Sequence, residues 1–167
     1  ELFNKTLGSY NVESRSGHTY LNPQKRENYL FNSSINGIED ADFIFLIGSN
    51  PRYEATILNA RIRKSYLQNK TNIISLNDVG DLTYPYNSLN GDIQNIKDIT
   101  EDNHEISKLI KDANKPLIIL GQSALSSNSS KYIFESIKSF LIKNNKISSE
   151  WNSLNVISED ASTVGSF

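Results

Sequence analysis

The chain of 167 residues contains no cysteine. Disulfides, thiolate zinc sites and iron-sulfur clusters held from within are excluded by that alone, because each needs a cysteine sulfur. Histidine stands at only two positions, His18 and His104, which leaves little for an imidazole metal site. Methionine is absent as well. A whole translation product begins with one, so the expectation is a fragment or a processed chain. The longest apolar run, Phe43-Ile44-Phe45-Leu46-Ile47, has the length of a buried strand and falls far short of the roughly 18 residues that cross a membrane. From Glu1 onward the residues lack the charged and then apolar order of a targeting leader. Neither charge sign dominates: 17 Lys and Arg face 19 Asp and Glu, a formal net charge of -2. That balance creates no strong field for phosphates or anionic lipid, so nucleic acid is not expected as a partner.

What is present suits one hydrophobic core, with 37% of the residues apolar. Asn, at 21 positions, is used heavily, as are Ile, Lys and Ser, a bias expected of an AT-rich coding genome such as an organelle's. In so Asn-rich a chain the acceptor patterns Asn4-Lys5-Thr6, Asn32-Ser33-Ser34, Asn69-Lys70-Thr71 and Asn128-Ser129-Ser130 read as chance.

Residues 1–28 are polar and broken by Gly8, Gly17 and Pro23, an irregular lead-in or edge. One partial α/β domain is expected over residues 29–167. Residues 29–35 form a short helix or turn. Residues 42–47 are apolar on both faces, as a central parallel strand requires. Gly48-Ser49-Asn50-Pro51 then turns the chain into a helix expected over 51–67. Asn50 can accept from the orphan backbone N–H groups as its cap, Pro51 suits the first helical position, and Glu54 complements the positive end of the dipole. Ala55, Leu58, Ile62 and Tyr66 make its apolar stripe. A second strand is expected at 72–76, followed by a long polar stretch. Then come a helix over 103–113 with Ile106, Leu109 and Ile110 on one side, a strand at 117–120, Gly121, a helix over 129–143 and a strand at 154–157. Ile133, Ile137, Phe140 and Leu141 point inward from the last helix. Strands alternating with helices predict a three-layer, Rossmann-like parallel sheet with helices on both faces. The order of the strands is not readable.

Two readings compete for the glycine turn. A strand-to-helix turn can offer N–H groups to a phosphate. This one lacks the three-glycine fingerprint, and Pro51 removes a donor, which favours a tight structural turn. Arg61, Arg63 and Lys64, beside Arg52, form either a contact for an acidic partner or a solvated helix face. Asp40, Asp42, Asp78 and Asp81 have no metal-loop spacing, and no Ser-His-acid order stands out. Tyr84-Pro85-Tyr86 and Trp151 read as packing residues.

Taken in order, these segments resemble one family. Arg26-Glu27-Asn28-Tyr29-Leu30, Ile38-Glu39-Asp40-Ala41-Asp42, Gly48-Ser49-Asn50-Pro51-Arg52-Tyr53-Glu54-Ala55 and Asn59-Ala60-Arg61-Ile62-Arg63-Lys64-Ser65 are similar to the large iron-sulfur subunit of respiratory complex I, within its molybdopterin-oxidoreductase-like region. Asp81-Leu82-Thr83-Tyr84 with Tyr86, Lys115-Pro116 leading to Gly121 with Ala124-Leu125, and Trp151-Asn152 with Leu154-Asn155-Val156 follow in the expected order. The resemblance covers roughly residues 26–166.

The resemblance implies a subunit of the peripheral arm of NADH:ubiquinone oxidoreductase, on the matrix side of the mitochondrial inner membrane, with no membrane span of its own. It also implies that the iron-sulfur clusters lie outside this chain, in an amino-terminal portion or a partner, and that the domain is a scaffold without its ancestral cofactor. No catalytic, cofactor or metal residue is therefore expected here; Asn50, Pro51, Arg52, Glu54, Asn59, Arg61 and Arg63 are expected as structural or interface residues. The partners implied are the other peripheral-arm subunits, among them the chain with the clusters and a chain carrying the rest of this domain. Two rivals remain: a piece of a molybdopterin-dependent oxidoreductase such as a formate dehydrogenase, and a free nucleotide-binding module.

Overall fold

Five consecutive apolar residues make β1 (Phe43–Ile47), and every one of them is buried. In the computed structural model, which describes residues 5–8, 19–158 and 164, this strand lies at the centre of a sheet ordered β3-β2-β1-β4-β5. The other strands are β2 (Asn72–Ser75), β3 (Asn87–Ser88), β4 (Pro116–Leu120) and β5 (Leu154–Val156). All neighbours are parallel, with Phe43 opposite both Asn72 and Pro116. This is a doubly wound sheet whose order reverses between β1 and β4.

The period of two in a strand sorts the apolar run into two cores. Phe43, Phe45 and Ile47 pack with Ile96, Ile99, Ile106, Ile110, Ile133, Ile137 and Phe140. These come from α3 (Ile93–Thr100), α4 (Glu105–Asp112) and α6 (Ser130–Lys143). Ile44 and Leu46 face the other way, onto Leu58 and Ile62 of α2 (Thr56–Asn69) and onto Leu82 and Tyr84 of the following loop. Helices on both faces explain why the strand carries no polar side.

Several expectations change. The helix expected over 51–67 is two: α1 (Pro51–Glu54) and α2, separated at Ala55, whose backbone is extended at φ -153° and ψ 72°. The break turns the chain from the end of the sheet back along its face. Within the polar stretch lie β3, only two residues long, and α3, capped by Asp92 accepting from the Gln94 amide at 2.9 Å. A short α5 (Gln122–Leu125) follows β4 at once. His104 is a helix cap, its Nδ1 accepting from the Ile106 amide at 3.2 Å. On α4, Ile106 and Ile110 are buried while Leu109 is half exposed. His18 and half of the lead-in segment lie outside the described residues.

Residues 29–33 are sewn onto the β5 edge. Phe31 pairs antiparallel with Asn155, and the Val156 amide donates to the Leu30 carbonyl. Asn155, fully buried, accepts from the Ser33 amide and donates to Ser33 Oγ and the Ser153 carbonyl, so its amide is satisfied at both ends. Asn32 Nδ2 is engaged by the carbonyls of Glu27 and Leu154. Trp151 anchors the final segment by donating from Nε1 to the Pro116 carbonyl at 2.9 Å.

Candidate functional site

In a doubly wound sheet the crevice for a ligand opens at the carboxyl ends of the two strands flanking the reversal. Here those ends are Gly48 after β1 and Gly121 after β4. The two turns fill the crevice with each other. Gly48 has φ 57°, and a Cβ there would overlap the Ala124 backbone nitrogen and lie 2.6 Å from the Ala124 Cβ. A Cβ on Gly121 would overlap the Ser49 Cα and lie 2.5 Å from the Gly48 carbonyl oxygen. The Ser123 amide donates to that oxygen and the Gly121 amide to the Ile47 carbonyl. Close backbone approach, rather than room for a ligand, is what demands glycine at both positions.

The anion position of the turn is taken as well. Glu54 folds back so that Oε1 accepts from the Asn50 amide at 2.8 Å, with Ser49 Oγ 3.4 Å from Oε2. Asn50 does not cap α1, contrary to expectation, because Glu54 supplies the carboxylate and the Asn50 side chain turns away. Its Nδ2 donates to the Val79 carbonyl at 2.9 Å, and its Oδ1 is buried without a donor. Pro51, buried at the first helical position, has no N–H to give. A nucleotide phosphate here would meet a carboxylate and an orphaned acceptor, so the turn does not fit the phosphates of a molybdopterin nucleotide.

Three of the expected residues act on one loop, residues 77–86. Asn50 holds Val79; Arg52 Nη1 donates to both the carbonyl and Oδ2 of Asp81 at 2.7 Å. Asn59, buried on α2, donates to the Leu82 carbonyl at 3.0 Å and accepts from the Tyr84 hydroxyl at 2.9 Å. The Thr83 amide, then Arg52, hold the Asp81 carboxyl below the usual carboxylate range. The Gly80 amide, then the Tyr86 hydroxyl, do the same for Asp78. Burial pushes the Tyr84 hydroxyl well above the usual tyrosine value, which keeps it a donor.

The cationic group divides differently. Arg61 and Lys64 both pair with Glu39, on the 3-10 turn Asn36–Asp40, and Asn69 Nδ2 reaches the Glu39 carbonyl. Lys64, then Arg61, draw the Glu39 carboxyl down. Arg63 is exposed and has no partner among the described residues. Glu39, Val79 and Gly121 were missed as members of the site. For Glu39 the acidic run preceding β1 was the only signal. Among the described residues no group of three or more His, Asp or Glu could hold a metal ion, and no helix is long and apolar enough to cross a membrane.

A five-stranded parallel sheet with glycine turns at its reversal point defines a doubly wound α/β domain whose crevice is closed. Residues 1–167 match the family model described as molybdopterin oxidoreductase, and the chain belongs to that family. It is 38% identical over 167 residues to the mitochondrial NADH-ubiquinone oxidoreductase 78 kDa subunit of Neurospora crassa, covering 96% of this chain and 22% of that one. The NADH-ubiquinone oxidoreductase 75 kDa subunit of Reclinomonas americana is 35% identical over 178 residues, covering 99% of this chain and 26% of that subunit. The mitochondrial NADH dehydrogenase (ubiquinone) iron-sulfur protein 1 of Solanum tuberosum is 32% identical over 164 residues, 98% of this chain and 22% of the relative. The chain thus spans about a quarter of the length of the curated relatives it matches.

Proposed function

We propose that this chain is a structural part of the peripheral arm of mitochondrial respiratory complex I, on the matrix side of the inner membrane, and that it holds no redox group of its own. The reading rests on the likeness to complex I subunits along nearly the whole chain. The observation that carries it to a scaffold role is the turn at residues 48–54, where a carboxylate of the chain sits in the place of a phosphate. Electrons then pass through iron-sulfur clusters carried elsewhere, and this domain contributes a stiff α/β layer against which other peripheral-arm subunits pack. The family itself favours one second reading, a piece of a molybdopterin-dependent oxidoreductase.

Two measurements on the native complex separate them. In an Arg61→Ala variant, loss of the pairing with Glu39 should reduce the amount of assembled complex while leaving NADH-to-quinone turnover per complex unchanged. A large fall in turnover at unchanged cluster content would overturn the scaffold reading. Molybdenum or tungsten copurifying in stoichiometric amount with the chain would establish the second.

A further inference from the structure

Lysines 64, 111, 115 and 143 all reach carboxylates, those of Glu39, Asp102, Asp40 and again Asp102. Lys138 on α6 differs: its Nζ donates to the carboxamide oxygen of Asn28 at 2.5 Å. Glu135 lies one turn back on the same helix, a spacing at which side chains are neighbours. Its Oε1 is occupied by the Tyr20 hydroxyl at 2.8 Å and by Asn22 Nδ2 at 3.1 Å. The four side chains therefore bring an amine, a carboxamide, a carboxylate and a phenol together where residues 19–33 cross α6.

Asn28 is 1% exposed, and its Nδ2 has no acceptor among the described residues. A buried amide ordinarily has both ends bonded, as Asn155 does here. Lys138 can only donate, so it must face the Asn28 oxygen, and the bare end is the nitrogen. With a carbonyl bond of about 1.2 Å, the 2.5 Å contact places Nζ within about 3.7 Å of the Asn28 Cγ, close to the separation of reacting atoms poised for attack. The Phe134 ring centroid lies 6.0 Å from Nζ, with the Tyr20 ring packed on it at 5.7 Å, so the surroundings are largely apolar. Exclusion of water favours attack by the amine over hydrolysis. A carboxylate resists such attack through its charge, whereas a carboxamide carries a nitrogen that can leave.

We propose that Lys138 and Asn28 are a modification site, at which an intramolecular isopeptide bond forms between Nζ and Cγ. Glu135 takes one proton from the lysine ammonium group, and the freed amine lone pair adds to Cγ. The electron pair of the Cγ–Nδ2 bond then leaves with Nδ2, which takes up the proton held by Glu135 and a second from the new amide nitrogen. An ammonium and a carboxamide become a secondary amide and a free ammonium ion, with no oxidant, reductant or further reactant. The bond joins residues 110 apart in a chain that has no cysteine for a disulfide, and it staples the segment at residues 19–33 to α6. This inference does not depend on the complex I reading.

The test digests the chain, purified from its native source, with trypsin and identifies the peptides by mass spectrometry. The expected product is residues 27–52 joined to residues 132–143, lighter than the two together by one ammonia, with no cleavage after Lys138. Lys138→Arg, which keeps the charge, should abolish that product. Glu135→Gln keeps an acceptor for Tyr20 and Asn22 but cannot carry the proton, and should lower the yield several-fold. Recovery of peptide 27–52 unlinked, together with full cleavage after Lys138, overturns the proposal without any variant. A joined peptide that survives Lys138→Arg overturns the assignment of the nucleophile, and an unchanged yield in Glu135→Gln overturns the role of Glu135.

Discussion

Replacing Asn59 by alanine is expected to be costly, because the side chain bridges the helix to the loop through two buried bonds. Its Nδ2 holds the Leu82 carbonyl and its Oδ1 receives the Tyr84 hydroxyl. Leu82 and Tyr84 are 0% and 7% exposed, so water does not readily replace the lost partner. An orphaned buried polar group costs about 1–3 kcal/mol. Two of them, with some relaxation of the loop, predict a loss of about 3 kcal/mol. Tyr84→Phe orphans only the Asn59 oxygen and should cost about 1–2 kcal/mol. The double variant should lose about 1 kcal/mol less than the sum, since the bond between the two side chains is counted in both singles. Denaturant unfolding, followed through the fluorescence of Trp151, the sole tryptophan, gives all four values. A cost below about 0.5 kcal/mol for Asn59→Ala would refute the buried network, given the scale of such groups. Strict additivity would refute the direct bond.

Glu54→Ala should destabilise by about 1 kcal/mol, the scale of a lost cap, and by more than the weaker turn contact of Asn50→Ala; the reverse order in a denaturant titration would show that Asn50 caps after all. Gly121→Ala, which forces a methyl into the Ser49 backbone, should abolish cooperative unfolding in calorimetry, and a normal transition would show that the two turns can part. Asp81 titrates below its unfolded value of 3.8, so its contribution is present above that pH and is lost as pH falls further; Arg52→Ala should lessen this acid loss in stability measured against pH. Tyr84 has a raised value, so its contribution is intact below pH 10.0 and fades above it, and Tyr84→Phe should flatten that alkaline decline.

The sequence by itself determined the elements whose cause is local. Five apolar residues in a row suit a strand covered on both sides, and the spacing of Ile133, Ile137, Phe140 and Leu141 suits one face of a helix. Alternation of the two kinds of element implied the parallel sheet, and the order of short motifs along the chain was enough for the family. Tertiary structure decided what depends on partners distant along the chain. The two residues of β3 are too few to carry a period and become a strand only against Ile74 and Ser75. The order β3-β2-β1-β4-β5 follows from which crossovers run in which direction, a matter on which local propensity is silent. Asn50 is a favoured cap residue on propensity, yet the fold presents it with the Val79 carbonyl, 29 residues away, while Glu54 satisfies the turn. Arg61 meets Glu39 across 22 residues, and Gly48 meets Ala124 only because β1 and β4 are neighbours. Local periodicity is written in consecutive residues, whereas a closed crevice and a paired charge exist only once the topology has brought separate segments to the same place.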